Sequence, residues 1–255
     1  MSRFLICLMI ASTSPLAFAQ DAADAYHDPE EMAEARAALK KGHGDQISSF
    51  ILGERFEYQS NEGDALAVWE AQAWIGGDLQ KLWFKTEGEY ETEEGRFEEA
   101  EVQALYSRAV SPFWDLQVGL RHDIKPNPSR TYAVIGAQGV APYWFELDGQ
   151  LFVSDEGDVS TRLEAEYELR LTQRLMLQPR VELNAAFADD EEVGVGSGLS
   201  TVAAGLRLRY EITREIAPYI GVSWNRAFGK TEDFARADGE DSDHVSWVAG
   251  IRFWF

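Results

Sequence analysis

The chain has 255 residues, a formal net charge of -21 and 12% aromatic residues. So acidic a surface argues against nucleic acid as a partner, and so many aromatic side chains argue against a disordered chain. From the N-terminus, Arg3 precedes an apolar run from Phe4 to Ile10, and Ala17-Phe18-Ala19 precedes Gln20. A charged start, a short apolar stretch and an A-x-A site predict a secretory signal peptide over residues 1–19. The apolar run is far shorter than the roughly 20 residues a spanning helix needs. Cys7, the only cysteine, lies inside it. The exported chain is therefore expected to carry no thiol, disulfide or cysteine metal ligand.

Residues 20–46 read as an N-terminal arm. Asp28-Pro29-Glu30-Glu31 is a helix start, with a capping Asp, Pro in the first turn and acids near the positive end of the dipole. Lys40-Lys41-Gly42 is the matching stop. The expectation is one short helix at about 29–41, polar all round except for Met32 and a few alanines.

From residue 47 to 255 about twelve segments alternate apolar and polar residues, a period of two that predicts strands. The apolar members, expected to share one face, are Phe50, Leu52, Phe56, Tyr58; Ala67, Trp69, Ala71, Ala73, Ile75; Leu82, Phe84, Tyr90; Ala100, Val102, Ala104, Tyr106; and Trp114, Leu116, Val118, Leu120. A weaker set surrounds Ala133, Ile135 and Ala137, and Tyr143, Phe145, Leu147, Leu151 and Val153 make the seventh. Residues 163–184 form the clearest hairpin. Leu163, Ala165, Tyr167, Leu169 and Leu171 lie on one face with Leu175, Leu177, Val181 and Leu183; the opposite face is dense with charge, and residues 172–174 turn between the two. Val202 to Ile212, Ile216 to Phe228 and Val245 to Phe255 complete the set. A face of unpaired charges is too costly to bury as a packed core. Either water covers the charged face and a second sheet the apolar one, or the apolar face meets lipid and the charges line a lumen.

The connections favour lipid. Those at 76–80, 108–112, 141–142, 172–174 and 213–215 are short; those at 60–64, 92–95, 122–130, 154–158, 188–197 and 229–244 are mostly longer and acidic. Short turns on one rim and long loops on the other are the pattern of an outer-membrane barrel, with the short turns and both termini in the periplasm. Aromatic residues sort to both rims: Tyr106, Trp114, Tyr143, Tyr210 and Phe255 by the short turns, Tyr58, Tyr90, Phe187 and Trp224 by the long loops. The predicted fold is all-β: an antiparallel outer-membrane barrel of about twelve strands over residues 47–255.

Several stretches together resemble the copper resistance protein B family of Gram-negative outer membranes. They are 65–83 (with Trp74-Ile75-Gly76-Gly77-Asp78), 100–108 (AEVQALYSR), 112–123 (PFWDLQVGLRHD), 141–146 (APYWFE), 163–182, Gly196-Ser197-Gly198-Leu199-Ser200, 206–211 (LRLRYE), 217–221 (APYIG) and 248–255 (VAGIRFWF). The resemblance spans residues 47–255. It implies a role in tolerating excess copper, beside a periplasmic multicopper oxidase. Many family members carry a Met- and His-rich N-terminal region thought to bind copper; here residues 20–46 offer only Met32, His27 and His43.

Copper(I) prefers thioether and imidazole, and copper(II) imidazole and oxygen. The candidate ligands are Met176, whose parity points into the lumen, the inward acids Asp115, Glu146, Asp148 and Glu168, and the histidines His43, His122 and His244. Each histidine has an Asp within two positions, an adjacency that chance supplies readily in so acidic a chain. His122 and His244 are placed at long-loop ends, where they would meet if those loops pack together. Arg170, opposite Met176 in the hairpin, is a candidate to neutralise Glu168, and Glu166 is expected to ladder with Arg180. Acids outnumber bases among the inward residues, which would concentrate cations. No catalytic function is expected: His244 with Ser246 has no orienting partner, and Gly194-Val195-Gly196-Ser197-Gly198 has no helix after it and reads as a flexible hairpin loop. Copper is then a bound or transported ion, and the partners are copper ions, a periplasmic multicopper oxidase, and outer-membrane lipid with lipopolysaccharide. The competing reading is a non-selective cation-permeable channel or passive scaffold.

Overall fold

The computed structural model describes residues 26–44, 46–60, 65–93, 95–239 and 241–255. The expected signal peptide and the first residues of the arm lie outside these. The chain divides into two compact units at Gln46/Ile47.

In the first unit, helix α1 runs Pro29–His43. Asp28 caps it, accepting from the backbone N–H of Glu30 at 2.9 Å and of Glu31 at 3.3 Å. Gly42 does not stop it; the helix ends at Gly44, whose N–H reaches the Lys40 carbonyl at 2.8 Å.

The second unit is a closed antiparallel barrel. Its strands are β1 (Ser48–Ser60), β2 (Ala65–Gly76), β3 (Gln80–Glu91), β4 (Arg96–Ser111), β5 (Trp114–Lys125) and β6 (Arg130–Ala141). There follow β7 (Phe145–Ser154), β8 (Val159–Glu166, resuming as Leu169–Arg170), β9 (Leu175–Ala186), β10 (Gly198–Tyr210), β11 (Ile216–Ala227) and β12 (Asp243–Trp254). Each strand pairs with the next, and β12 pairs with β1 to close the ring. The break in β8 has a local cause. Tyr167 donates its N–H to the Pro179 carbonyl at 3.1 Å, but Pro179 has no N–H to return, so the ladder lapses for two residues.

The alternation does what the hydrophobic pattern asks. Leu82, Phe84, Leu116, Val118, Leu120, Ile135, Leu163, Leu171, Ile220 and Trp247 all point outward and are exposed. A continuous apolar belt of this extent has no place in water and fits the hydrocarbon of a bilayer. Exposed Tyr106, Tyr143, Tyr210 and Phe255 flank it on the short-turn side, and Tyr58 and Phe187 on the long-loop side. No described helix is long and apolar enough to cross a membrane; the strands do the crossing.

The first strand corrects the expected facing. An irregularity between Gly53 and Phe56 adds a residue, so Glu54 and Arg55 both serve the interior and the parity flips. Beyond it Phe56 and Tyr58 face out as expected. Before it Ile51 faces out, while Phe50 and buried Leu52 face in. Phe50 stacks on Trp74 at 6.1 Å and lies 5.9 Å from Trp254, and Trp74 lies 6.4 Å from Trp83. The interior is thus floored by aromatic rings near the short turns. A second inward cluster, Leu105, Val134 and Phe152 with Trp83 and Tyr132, is the only wholly apolar core among the described residues.

At the long-loop rim the connection 228–242 contains helix α2 (Lys230–Asp238), which hydropathy alone does not reveal. It sits on the 187–197 loop. Thr231 Oγ1 accepts the Gly196 N–H at 2.9 Å, and Lys230 pairs with Asp189. Gly196 is obligatory there, since a Cβ would lie 2.5 Å from Lys230 Cβ. Val195 bridges back to Asp190, so the glycine-rich stretch is a tied loop. Arg130 draws in Glu156 at 2.6 Å, Glu192 at 3.0 Å and Asp190 at 3.1 Å.

Candidate functional site: the acidic lumen

Inward positions on β1 to β4 and β7 to β9 place carboxylates on two facing walls. Between them lies a cavity of about 310 Å³. Its acids are Glu54, Glu70, Glu87, Glu101, Glu146, Asp148, Glu164 and Glu166, against two bases, Lys85 and Arg162.

Most of these acids are held. Arg180 binds Glu164 at 2.7 Å, Glu70 at 3.1 Å and Glu182 at 3.2 Å. Arg55 also takes Glu70, at 2.6 Å. Arg162 holds Glu87 and, at 3.1 Å, Glu101, which Arg121 grips from the other side at 2.6 Å. Lys85 reaches Asp148. Glu54 and Glu166 have only amide donors, Gln72 at 3.0 Å and Gln178 respectively. Glu146 stands directly opposite Glu166 in the β7–β8 register. Among the described residues, Glu54, Glu146 and Glu166 form no salt bridge. The same cavity is lined by amides with unanswered acceptors: Oε1 of Gln72, of buried Gln103 and of buried Gln150, and Oδ1 of Asp148, have no hydrogen-bond donor. Buried oxygen atoms without donors favour a cation or its hydration water.

The predicted ligands do not gather at one place. Glu146 and Asp148 line the cavity. Asp115 lies apart, accepting from Ser107 at 3.3 Å and facing Lys81 at 3.8 Å. Glu168 and Met176 form a third group. Met176 faces in, as its parity requires, but Arg209 donates to its sulfur at 3.2 Å, to Gln178 at 2.8 Å and to Glu168. Arg209 is 1% exposed, so that thioether is occupied by a buried guanidinium. Arg170 does lie opposite Met176, yet Glu168 is neutralised by Arg209 and by Arg252 at 3.6 Å. Likewise Arg180 is in register with Glu166 but pairs with Glu164.

The two barrel histidines, His122 and His244, are separated too. His122 is not in a loop: β5 continues to Lys125, and His122 points out of the barrel beside Thr131 at 2.9 Å. His244 sits on β12, next to Asn225 at 3.3 Å and at the inward parity. The two lie on opposite faces of the wall and do not meet. His43 ends helix α1 in the other unit. Among the described residues no three His, Cys, Asp or Glu side chains are placed to hold a metal ion. Sequence parity missed Glu54, which the extra residue in β1 turns inward, and Arg162, whose segment the hydrophobic pattern began one residue later. The signal for Arg162 was present: it is an even-numbered neighbour of Glu164 and Glu166.

Residues 47–255 match the family model described as copper resistance protein B precursor (CopB). The chain belongs to the copper resistance protein B family. A copper resistance protein B homolog from Pseudomonas syringae pv. tomato is 48% identical over 214 residues, covering 84% of this chain and 72% of that protein. Copper resistance protein B from Escherichia coli is 46% identical over 213 residues, covering 84% and 71%. Among solved structures, the NanC porin is similar at TM-score 0.54 and 14% identity, over 81% of this chain and 99% of that one. Outer membrane phospholipase A from Escherichia coli is a remoter match, at TM-score 0.46 and 11% identity over 85% and 96%. These likenesses concern fold. The family member described here is an outer-membrane barrel.

Proposed function

We propose that this barrel contributes to copper resistance by admitting copper ions to its acidic lumen, where they are held loosely rather than captured. The observation that carries this reading is the surplus of carboxylates on the cavity, eight against two bases, with Glu54, Glu146 and Glu166 in no salt bridge among the described residues. Carboxylates in a low-dielectric wall draw cations by field. Oxygen ligands suit copper(II), whereas the one lumenal thioether is engaged by Arg209. An all-oxygen site does not reject other divalent ions, and this favours weak selectivity as the second reading.

The short turns and both termini face the periplasm in this proposal. The short-turn rim carries Lys81, Arg108, Arg174 and Arg214. These would steer an acidic periplasmic copper protein, such as the multicopper oxidase that family resemblance implies, mainly by raising the on-rate. The protein has no catalytic part in this scheme.

The deciding experiment titrates copper(II) into the refolded barrel, with and without residues 20–46, and into a Glu54→Gln/Glu146→Gln/Glu166→Gln variant. Several-fold weaker binding by the triple variant supports the lumen. Equal binding returns attention to His27, His43, His122 and His244. Equal competition by calcium would reduce the reading to a general cation path.

A further inference from the structure

We infer that Arg162 is a movable bar across the lumen, and that a cation arriving at Glu87 releases it to open a path. The inference rests on the proposed entry of ions into the lumen, but its test uses potassium, not copper.

Arg162 belongs to β8; Glu87 and Glu101 belong to β3 and β4. Along the wall, β5, β6 and β7 separate β4 from β8. At about 4.8 Å per strand that contour is roughly 19 Å, beyond the reach of any arginine. The contacts are therefore chords through the interior. The bar is seated: the Arg121 guanidinium lies 4.7 Å, and that of Arg162 5.8 Å, from the Phe152 ring centre. Phe152 in turn belongs to the packed Leu105–Val134 cluster, which fills the space on that side.

Other pairs also cross the barrel, among them Arg180 to Glu70, Lys85 to Asp148 and Arg252 to Glu168. Arg180 also keeps acids on its own wall, and Glu70 keeps Arg55; Arg162 differs in being the only base paired with Glu87 among the described residues. The Arg162 Nε already lies 3.3 Å from Asn184 Oδ1 and 3.7 Å from a Glu182 oxygen, both on the adjacent strand β9. Glu101 keeps Arg121 when Arg162 leaves. Glu87 has no second basic partner within salt-bridge distance among the described residues. A cation that takes Glu87 thus exchanges with a guanidinium that retains acceptors on its own wall. Neither charge is stranded, which is the condition for a buried ion pair to open cheaply.

The experiment is potassium conductance and reversal potential across planar bilayers, with each protein's folding checked by its heat-modifiable gel mobility. Wild type is expected to conduct weakly. Arg162→Gln should conduct several-fold more and shift the reversal potential toward potassium, because Glu87 and Glu101 lose their counter-charge. Glu87→Gln/Glu101→Gln also frees the bar and should raise conductance, with selectivity shifted away from cations. Arg174→Gln, exposed in the turn after β8, should match wild type. The double glutamine variant carries the test if Arg162→Gln does not fold. A folded variant of either kind with wild-type conductance overturns the inference, as does a wild type that already conducts like an open pore. Loss of copper binding by the Glu54, Glu146 and Glu166 variant is read separately, so each proposal fails alone.

Discussion

Neighbouring residues on one strand give a stringent test of the lipid-out, charge-in arrangement. Leu206 and Arg207 are consecutive on β10. Leu206 is 42% exposed on the outer face, paired with Pro179 and Val222 at mid-height. Arg207 points inward and donates to both Glu57 oxygens, at 2.6 and 2.8 Å; the Glu57 side chain is 0% exposed and that of Arg207 5%. Leu206→Arg places a charge in hydrocarbon near the midplane and should cost about 2–4 kcal/mol. Arg207→Met leaves hydrocarbon contacts untouched but takes the main counter-charge from a buried carboxylate that keeps only Gln59 at 3.0 Å and Arg55 at 4.0 Å, which should cost about 3 kcal/mol. Adding Glu57→Gln removes the under-compensated charge, so the double variant should recover much of that loss. The assay is reversible urea unfolding in lipid vesicles followed by tryptophan fluorescence, run as a double-mutant cycle. A Leu206→Arg variant as stable as wild type would refute the lipid-facing assignment. Additive costs for Arg207→Met and Glu57→Gln, with no coupling, would refute the buried pair.

Other expectations concern the loops and the closure of the fold. Gly196→Val should lift α2 from the 187–197 loop, because a Cβ there meets Lys230 and the Thr231 backbone within 2.7 Å; faster trypsin cleavage after Lys230 or Arg236 reports it. The bond from Lys230, with help from the Ser197 N–H, pulls the Asp189 carboxyl down to about 2. A depressed folded-state value means the tether is at full strength above the ordinary Asp range near 4 and is lost as pH falls toward 2. Amide exchange in the 187–197 loop should quicken over that window, and Asp189→Asn should remove the pH dependence. Arg130→Gln, which unties Glu156, Asp190 and Glu192 together, should raise exchange in both loops while leaving strand amides protected.

The period of two carried most of the architecture. Strand number, the outward faces of β2 to β12 and the short-turn and long-loop rims follow from it, because lipid and lumen leave no third place for a side chain. What it hides are features that break or ignore that period. Glu54 visibly breaks the apolar face of the first segment, but a parity count does not tell that an extra residue flips the facing there, so Phe50 and Leu52 are expected in lipid. Inward Trp74, Trp83, Tyr132 and Phe152 sit at polar-face positions, where an aqueous lumen predicts no rings. The partners of Met176 and Glu168 come from Arg209, on the strand after the hairpin that holds them, so hairpin register alone pointed to Arg170. His122 was misplaced because Lys125 and its neighbours extend a strand whose composition resembles a loop.

The irregularity in β1 also bears on how the ring finds its correct closure. The pairing of β1 with β12 joins the two ends of the barrel. A slide of one residue there would turn Glu57 and Gln59 toward the acyl chains and send Phe56 and Tyr58 among the carboxylates. The offset between Gly53 and Phe56 permits one alignment in which Phe56 faces Ile251 and Ser60 faces Trp247 while Phe50 still reaches Trp254. The junction works as a keyed seam: a misaligned closure is rejected by the bilayer, and the proper one is locked by aromatic contact on the inside.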